Sequence, residues 1–324
     1  MSRHANPFVS AFLVLALVLA FGTSRAAEPY PNRPIRIINP VPAGGTLDVL
    51  ARVLGDKLKD RIGQPLIIES RPGANGMIGL AAAQQAKPDG YTLLGNSTPM
   101  ASGRLLHKSF TIDVANDFDH IVEVIAASQY LASNPGAPFK TLQEMVAYAK
   151  ANPGKINFGT SVSIQLDSLM LLKSLGIEVN LVPYSGSGVL PQAVLGDSTQ
   201  VIHVSLPPIK GLLAENRVRG LAVVSLQRSG ITPNVPAIGE LFADQDPLVV
   251  HSGISGPKGL PREVIQKLNA EINAVLKMPE VIARYADVLG AEVRGGTPEE
   301  WRVVQDKTYL QFTRGTQALK IQPQ

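Results

Sequence analysis

The stretch Asn39-Pro-Val-Pro-Ala-Gly-Gly-Thr-Leu-Asp48 decides how this chain is read. The apolar run Ile35-Arg-Ile-Ile38 before it has the length and composition of a strand. Leu47, Leu50, Leu54 and Leu58 after it recur at helical spacing. A glycine-rich turn between a strand and a helix leaves backbone N–H groups free at the positive end of the helix. Such an end holds a small anion without a cationic side chain. Gly44, Gly45 and Thr46 are therefore candidate binding residues. Asp48 admits two readings: a complement to the helix dipole, or a partner for a ligand amine or fixer of the loop.

Working outward, short strand-like runs alternate with helical patterns. Strands are expected at 35–39, 66–69, 92–95, 120–125, 156–159, 179–183, 200–204, 221–225 and 249–254. Helices are expected at 47–62, 77–85, 142–151, 165–175, 188–195 and 207–214, with three more in series at 261–277, 279–289 and 298–317. Thr297-Pro-Glu-Glu300 and Thr141-Leu-Gln-Glu144 have the spacing of capping boxes. This order predicts an α/β chain with mostly parallel sheets flanked by helices. Nine strands over about 300 residues exceed one core and predict two sheets. Extended hinges are expected near 126–133 and 226–247, with a ligand cleft between the domains.

Polar, small-residue loops follow several of these strands and supply the other candidates: Ser97 and Thr98; Thr160, Ser161 and Ser163; Tyr184 and Ser185; and Ser205. In open α/β sheets the carboxyl ends of strands line the ligand crevice. Each loop alone is ordinary turn chemistry; together they suggest one carboxylate site.

The composition excludes much else. There is no Cys, which removes disulfides, thiolate metal sites and lipid attachment at cysteine. His107, His120, His203 and His251 are too scattered for a metal motif, and His203, within a strand-like run, reads as a satisfied core or cleft-edge residue. No nucleophile elbow, P-loop or dinucleotide fingerprint occurs. No metal, cofactor or catalytic residue is expected. The first residues carry Arg3 and His4, an apolar run from Phe8 to Phe21, and Ser24-Arg-Ala26, the pattern of a signal peptide cleaved near Ala26. Without Arg3 and Arg25 the count is 28 Lys+Arg against 26 Asp+Glu, and no basic run or stacking platform points to nucleic acid. An exported, cysteine-free chain fits a bacterial periplasm.

The chain resembles the substrate-binding proteins of the tripartite tricarboxylate transporter type, the Bug-type periplasmic receptors. The matching residues include Tyr30-Pro-Asn-Arg-Pro-Ile35, Pro40–Asp48, Glu69-Ser-Arg-Pro-Gly-Ala-Asn-Gly76, Pro88-Asp-Gly-Tyr-Thr-Leu-Leu94, Pro153-Gly-Lys-Ile-Asn-Phe-Gly159, Val182-Pro-Tyr184, Arg219-Gly-Leu-Ala-Val223 and Gly256-Pro-Lys-Gly-Leu-Pro261. The resemblance implies a two-domain Venus-flytrap receptor, a monomer and not an enzyme. It implies that the receptor captures a small organic carboxylate, whether a di- or tricarboxylate, an acidic amino acid or an aromatic acid, and presents it to membrane transporter subunits. Its domains would be 27–127 with 247–324, and 128–246. One ligand carboxylate would lie between Gly44–Thr46 and the loop Thr160, Ser161, Ser163. The chain departs from the family pattern in that loop, which has no Gly after Gly159; at Ser185, where a basic residue is usual; before Ser205, where an acid is often found; and at Val250-His-Ser252, usually aromatic-rich. Three alternatives stay open: a sensor feeding a signalling membrane protein, an enzyme acting on a carboxylate, and a binding module occluded around Val162 and Ile164.

Overall fold

The structure is a computed structural model that describes residues 29–323, apart from Pro42, Val162, Ser163, Asp244 and the side chain of Asn75. The expected export segment 1–26 lies outside the described residues. Among the described residues eleven strands are seen: β1 Ile35–Asn39, β2 Leu66–Ser70, β3 Thr92–Ser97, β4 Phe118–Ala127, β5 Gln129–Ser133, β6 Asn157–Ser161, β7 Asn180–Tyr184, β8 Val201–Ser205, β9 Arg219–Val224, β10 Val250–Pro257 and β11 Glu292–Val293. The helices are α1 Thr46–Ile62, α2 Met77–Gln84, α3 Gly103–Leu106, α4 Leu142–Ala151, α5 Gln165–Leu175, α6 Leu190–Leu195, α7 Lys210–Ala214, α8 Ile238–Leu241, α9 Arg262–Leu276, α10 Pro279–Leu289 and α11 Pro298–Ala318.

The strands form two sheets, ordered β11-β4-β10-β3-β1-β2 and β7-β6-β8-β5-β9. The mostly parallel sheets expected from the βα alternation are corrected to mixed ones. The β1, β2, β3 set and the β6, β7, β8 set are parallel within themselves. The strands that carry the chain between the sheets, β4, β5 and β10, pair antiparallel with their neighbours. A strand that leaves one sheet for the other has no crossover helix to reverse it, so antiparallel pairing is what its path allows.

The chain passes from the first sheet to the second inside the expected extended segment 126–133. It is almost wholly strand, with only Ser128 between β4 and β5. The return from β9 to β10 contains the single-turn α8 and a bridge from Val223 to Ala237.

In the first sheet, Ile35, Ile37 and Leu93 pack under Leu47, Leu50, Leu54 and Leu58 of α1 and under α9 and α10. The opposite face carries Ile38, Leu80, Leu94, Phe110 and Phe118. The second sheet has a core on each face, one around Phe158, Leu142 and Leu171, the other around Ile202, Val204 and Leu190. The long α11 starts at a full capping box, Glu300 N–H to Thr297 Oγ1 at 3.1 Å and Thr297 N–H to Glu300 Oε2 at 2.7 Å. At α4 the Thr141 hydroxyl caps Glu144 N–H, while the Glu144 carboxylate takes the N–H of Lys140 instead.

The packing of α11 leaves no room at Gly253 on the central strand β10. A Cβ there would run into the Val122 carbonyl and lie 2.9 Å from Trp301 Cε2. Gly253→Ala is expected to lower stability by about 2 kcal/mol in urea unfolding. Gly186→Ala, which meets nothing within 4 Å and has an extended φ of −171°, is the control expected to change little. Equal stability of the two variants would contradict this packing.

Candidate functional site

Strand register brings the candidate loops together. In the first sheet Ser97, at the carboxyl end of β3, pairs with Ser252, which pairs in turn with Ile125 near the end of β4. In the second sheet Ser205, at the carboxyl end of β8, pairs with Gln129 at the start of β5. Only Ser128 separates the ends of β4 and β5. The carboxyl ends of the two parallel sets therefore flank one crossing. Ser161 and Tyr184 are register partners at the same end of the second sheet.

Two further contacts join the halves. Lys210 Nζ lies 3.0 Å from Asp287 Oδ1. Leu166, Leu248 and Phe312 form a shared apolar cluster with Leu105, Leu106 and Met170 beside it.

The first loop opens the long helix α1 with glycine. Gly45 is the N-cap of α1, in extended conformation and with no side-chain cap. The N–H groups of the first turn are thus left without a capping oxygen. Gly44 has φ +81°, which favours glycine, and Gly44 and Thr46 are exposed.

Asp48 is a fixer of this loop. Its Oδ2 accepts the Gly44 N–H at 3.0 Å, and Arg52 binds both oxygens at 2.9 and 3.1 Å. The Arg52 hydrogen bond, helped by Gly44, holds the carboxyl below the usual carboxylate range. Its negative charge is thereby matched by Arg52, and the Gly44 N–H is taken up by its Oδ2.

Other candidates divide by orientation. Ser97, Tyr184 and Ser205 are half-buried at strand ends, and Ser185 is exposed. Ser161 is buried, at the end of β6. Thr98 is buried, and its Oγ1 accepts the His251 N–H at 3.1 Å. Thr160 is fully buried and turned inward, with its hydroxyl 2.6 Å from Ser168 Oγ. Ser163 lies outside the described residues.

The residues around Thr160 were not visible as a group in the sequence. Ser168 Oγ also sits 2.8 Å from Nδ1 of His203, and it donates to the Ile164 carbonyl or to a neighbouring acceptor. Burial pushes the His203 imidazole down to about 3, so it is neutral at pH 7. Asp167, in the first turn of α5, is pushed up to about 7 by burial. Helical phase was the available signal: Ile164 and Ser168, four apart, share one face of that helix. Glu123 was missed as well. Its buried carboxylate lies 2.7 Å from His251 Nδ1 and 3.5 Å from Arg294 Nε. Among the described residues no group of three His, Cys, Asp or Glu could hold a metal, and no helix is long and apolar enough to cross a membrane.

Two pH-dependent outcomes follow from these carboxyls. Asp48→Asn is expected to lower stability at pH 7 by up to about 1 kcal/mol, the exposed Arg52 contributing little. A lowered carboxyl stabilises only while ionised, so this deficit should close as the pH falls below the ordinary carboxylate range. Asp167→Asn should do the reverse. A raised carboxyl favours the neutral form, and its contribution is lost as pH rises through about 7. The variant should gain about 2 kcal/mol at pH 8, and the gain should vanish below about pH 4. Urea unfolding across pH checks both, and parallel curves for variant and wild type would contradict either assignment.

The comparisons with known proteins bear on the family and the fold. The profile of the tripartite tricarboxylate transporter family receptor matches residues 50–309. Protein BugT of Bordetella pertussis is 34% identical over 86% of this chain and 86% of its own length. A UPF0065 protein of Pseudomonas sp. (strain P51), from a tcbD-tcbE intergenic region, is 31% identical over 90% of this chain and 88% of its own. A solved structure of a periplasmic transporter is 28% identical, with a TM-score of 0.78 over 90% of this chain and 99% of that one. The periplasmic binding protein BugD is 25% identical, with a TM-score of 0.76 over 91% of this chain and 100% of that one. The chain belongs to the tripartite tricarboxylate transporter receptor family, whose members are periplasmic solute-binding receptors and not enzymes.

Proposed function

We propose that this receptor captures a small organic carboxylate between its two sheets and presents it to membrane transporter subunits of the tripartite tricarboxylate type. The observation that carries the reading is the uncapped N-terminus of α1 behind Gly44 and Gly45, at the carboxyl end of β1. Backbone N–H groups at a helix start suit a carboxylate and cost no reorganisation when it arrives.

In this reading the halves are 27–127 with 247–324, and 128–246, and the cleft lies between them. Gly44, Gly45, Thr46 and Ser97 would supply one wall; Ser161, Ser163, Tyr184, Ser185 and Ser205 would supply the other. Asp48, Thr98 and Thr160 would act behind them, since their oxygens already hold Gly44, His251 and Ser168. Both walls come from one chain, so a monomer suffices. The export pattern at 1–26 supports a periplasmic location.

Ligand that contacts both walls favours the closed arrangement by the difference in its affinity for closed and open states. A thermal-shift screen of di- and tricarboxylates, hydroxy acids, amino acids and aromatic acids tests the reading. At 100 times its dissociation constant a true ligand adds about 2.7 kcal/mol to stability. If sugars or amines raise the melting temperature and no carboxylate does at millimolar concentration, the carboxylate reading is wrong. For the transporter role, detergent-solubilised membranes should yield integral transporter subunits on the ligand-loaded receptor. Recovery of a signalling protein instead would favour the sensor.

A further inference from the structure

We infer that Gly315 is a notch that seats Met170 of the opposite half, and that this contact positions the second wall of the ligand site. The assignment rests on the carboxylate-receptor reading and adds a pair of positioning residues to it. Helix α11 packs on the first sheet, where its Trp301 lies against Gly253 of β10. Helix α5 packs on the second, where its Leu171 and Leu172 share a core with Phe158 of β6. Met170 of α5 and Gly315 of α11 meet where these two helices touch.

Gly315 has no local reason to be glycine. It lies within α11, its carbonyl accepts the Leu319 N–H at 2.9 Å, and its φ is not positive. Glycine in a helix is less favourable than alanine, because it loses more backbone freedom on folding. The close approach of α5 accounts for it. A Cβ on Gly315 would run into Sδ and Cε of Met170 and lie 2.7 Å from its Cγ, where ordinary contact begins near 3.4 Å. Cγ is near the root of the side chain, so swinging the tip of Met170 aside does not clear the space. Met170 also packs against the cluster of Leu166, Leu248 and Phe312.

The halves approach closely at a second point. A Cβ on Gly290, at the end of α10, would lie 2.7 Å from Leu206 Cβ. There a φ of +57° already calls for glycine. At Gly315 the approach of the other half alone decides the residue.

Both points lie at the roots of the second wall. Leu206 follows Ser205 directly, and Met170 is in the helix that starts at Gln165, just after β6 ends at Ser161. The Thr160 and Ser168 hydroxyls, 2.6 Å apart, tie that helix to the end of β6, so the two shift as a unit. A wedge between α11 and α5 therefore carries Ser161 away from Gly44–Thr46. Seating belongs to the ligand-holding arrangement, since it draws the second wall toward the half that carries α1. A site that grips a small molecule from two sides must hold its groups to within about 0.5 Å.

The test is a double-substitution cycle read by calorimetric titration of the wild type, Gly315→Ala, Met170→Ala and the pair. The titrants are malate, citrate, glutamate and benzoate, joined by any further carboxylate that a thermal-shift screen returns. Gly315→Ala should bind the wild type's acid about ten-fold more weakly. Met170→Ala leaves the helices unwedged and should bind within about two-fold of the wild type. The pair should bind as Met170→Ala does, because the added Cβ then has nothing to meet. If Gly315→Ala does not fold, Met170→Phe makes the wedge from the other side and should show the same loss. Affinity in the wedged variant equal to the wild type's, or tighter, overturns the assignment. A changed melting temperature with unchanged affinity makes the contact structural only, which also overturns it. A loss that persists in the pair places the effect in α11 itself and overturns it as well. In each of these cases the wild type still binds its acid and the receptor reading stands. A wild type that binds no carboxylate removes the receptor reading, and this assignment with it.

Discussion

The hydrogen-bonded crossing at Ser128 is the constraint on which the rest of the structure depends. Residues 118–133 run as two strands broken at one position, and β10 returns beside β4 in antiparallel register. Because β4 belongs to one sheet and β5 to the other, the two sheets cannot be placed independently. Their register fixes where every parallel strand ends. Ser97 and Ser205 are each tied by pairing to residues within a few positions of Ser128. A site assembled this way needs no long loops and little ordering on binding, since its walls are strand ends and helix starts.

The charge economy of the site follows from the same layout. The candidate walls are glycines, hydroxyls and main-chain amides, without a cationic clamp. The charged groups nearby are already matched: Asp48 with Arg52, Glu123 with His251 and Arg294, and Lys210 with Asp287. A partial positive charge from uncapped amides is therefore the field that an incoming anion meets at α1. Polar groups buried behind the walls, such as Thr160, Ser168 and His203, are linked to one another and set the start of α5. The departures from the family pattern seen in the sequence fall in these same places, at 160–164, 185 and 250–252.

Much of this was legible in the sequence, and the parts that were not have physical reasons. Leucine spacing placed α1 to within one residue, and the alternation of apolar runs with helical patterns gave the two-sheet α/β architecture. Gln129–Ser133 was read as part of an extended crossing, and it is one; that it is also a buried strand shows only in its long-range pairing with β8 and β9. The hydroxyls of Thr98 and Thr160 were read as facing the cleft. A strand turns successive side chains to opposite faces, so an uncertainty of one residue in register decides whether a hydroxyl is outside or inside. Asn39 was read as the last residue of a strand; its burial against Gly95 is a contact 56 positions away that no local pattern records.

The central claim is that one carboxylate touches both walls of the crossing at once. Amide NMR of the isotope-labelled protein, titrated with the acid that most raises its melting temperature, tests this directly. The N–H signals of Gly45, Thr46 and Leu47 and those of Ser161, Ser185 and Ser205 should shift along one binding isotherm. Shifts confined to one wall, two isotherms with different midpoints, or no shift at either wall would contradict it.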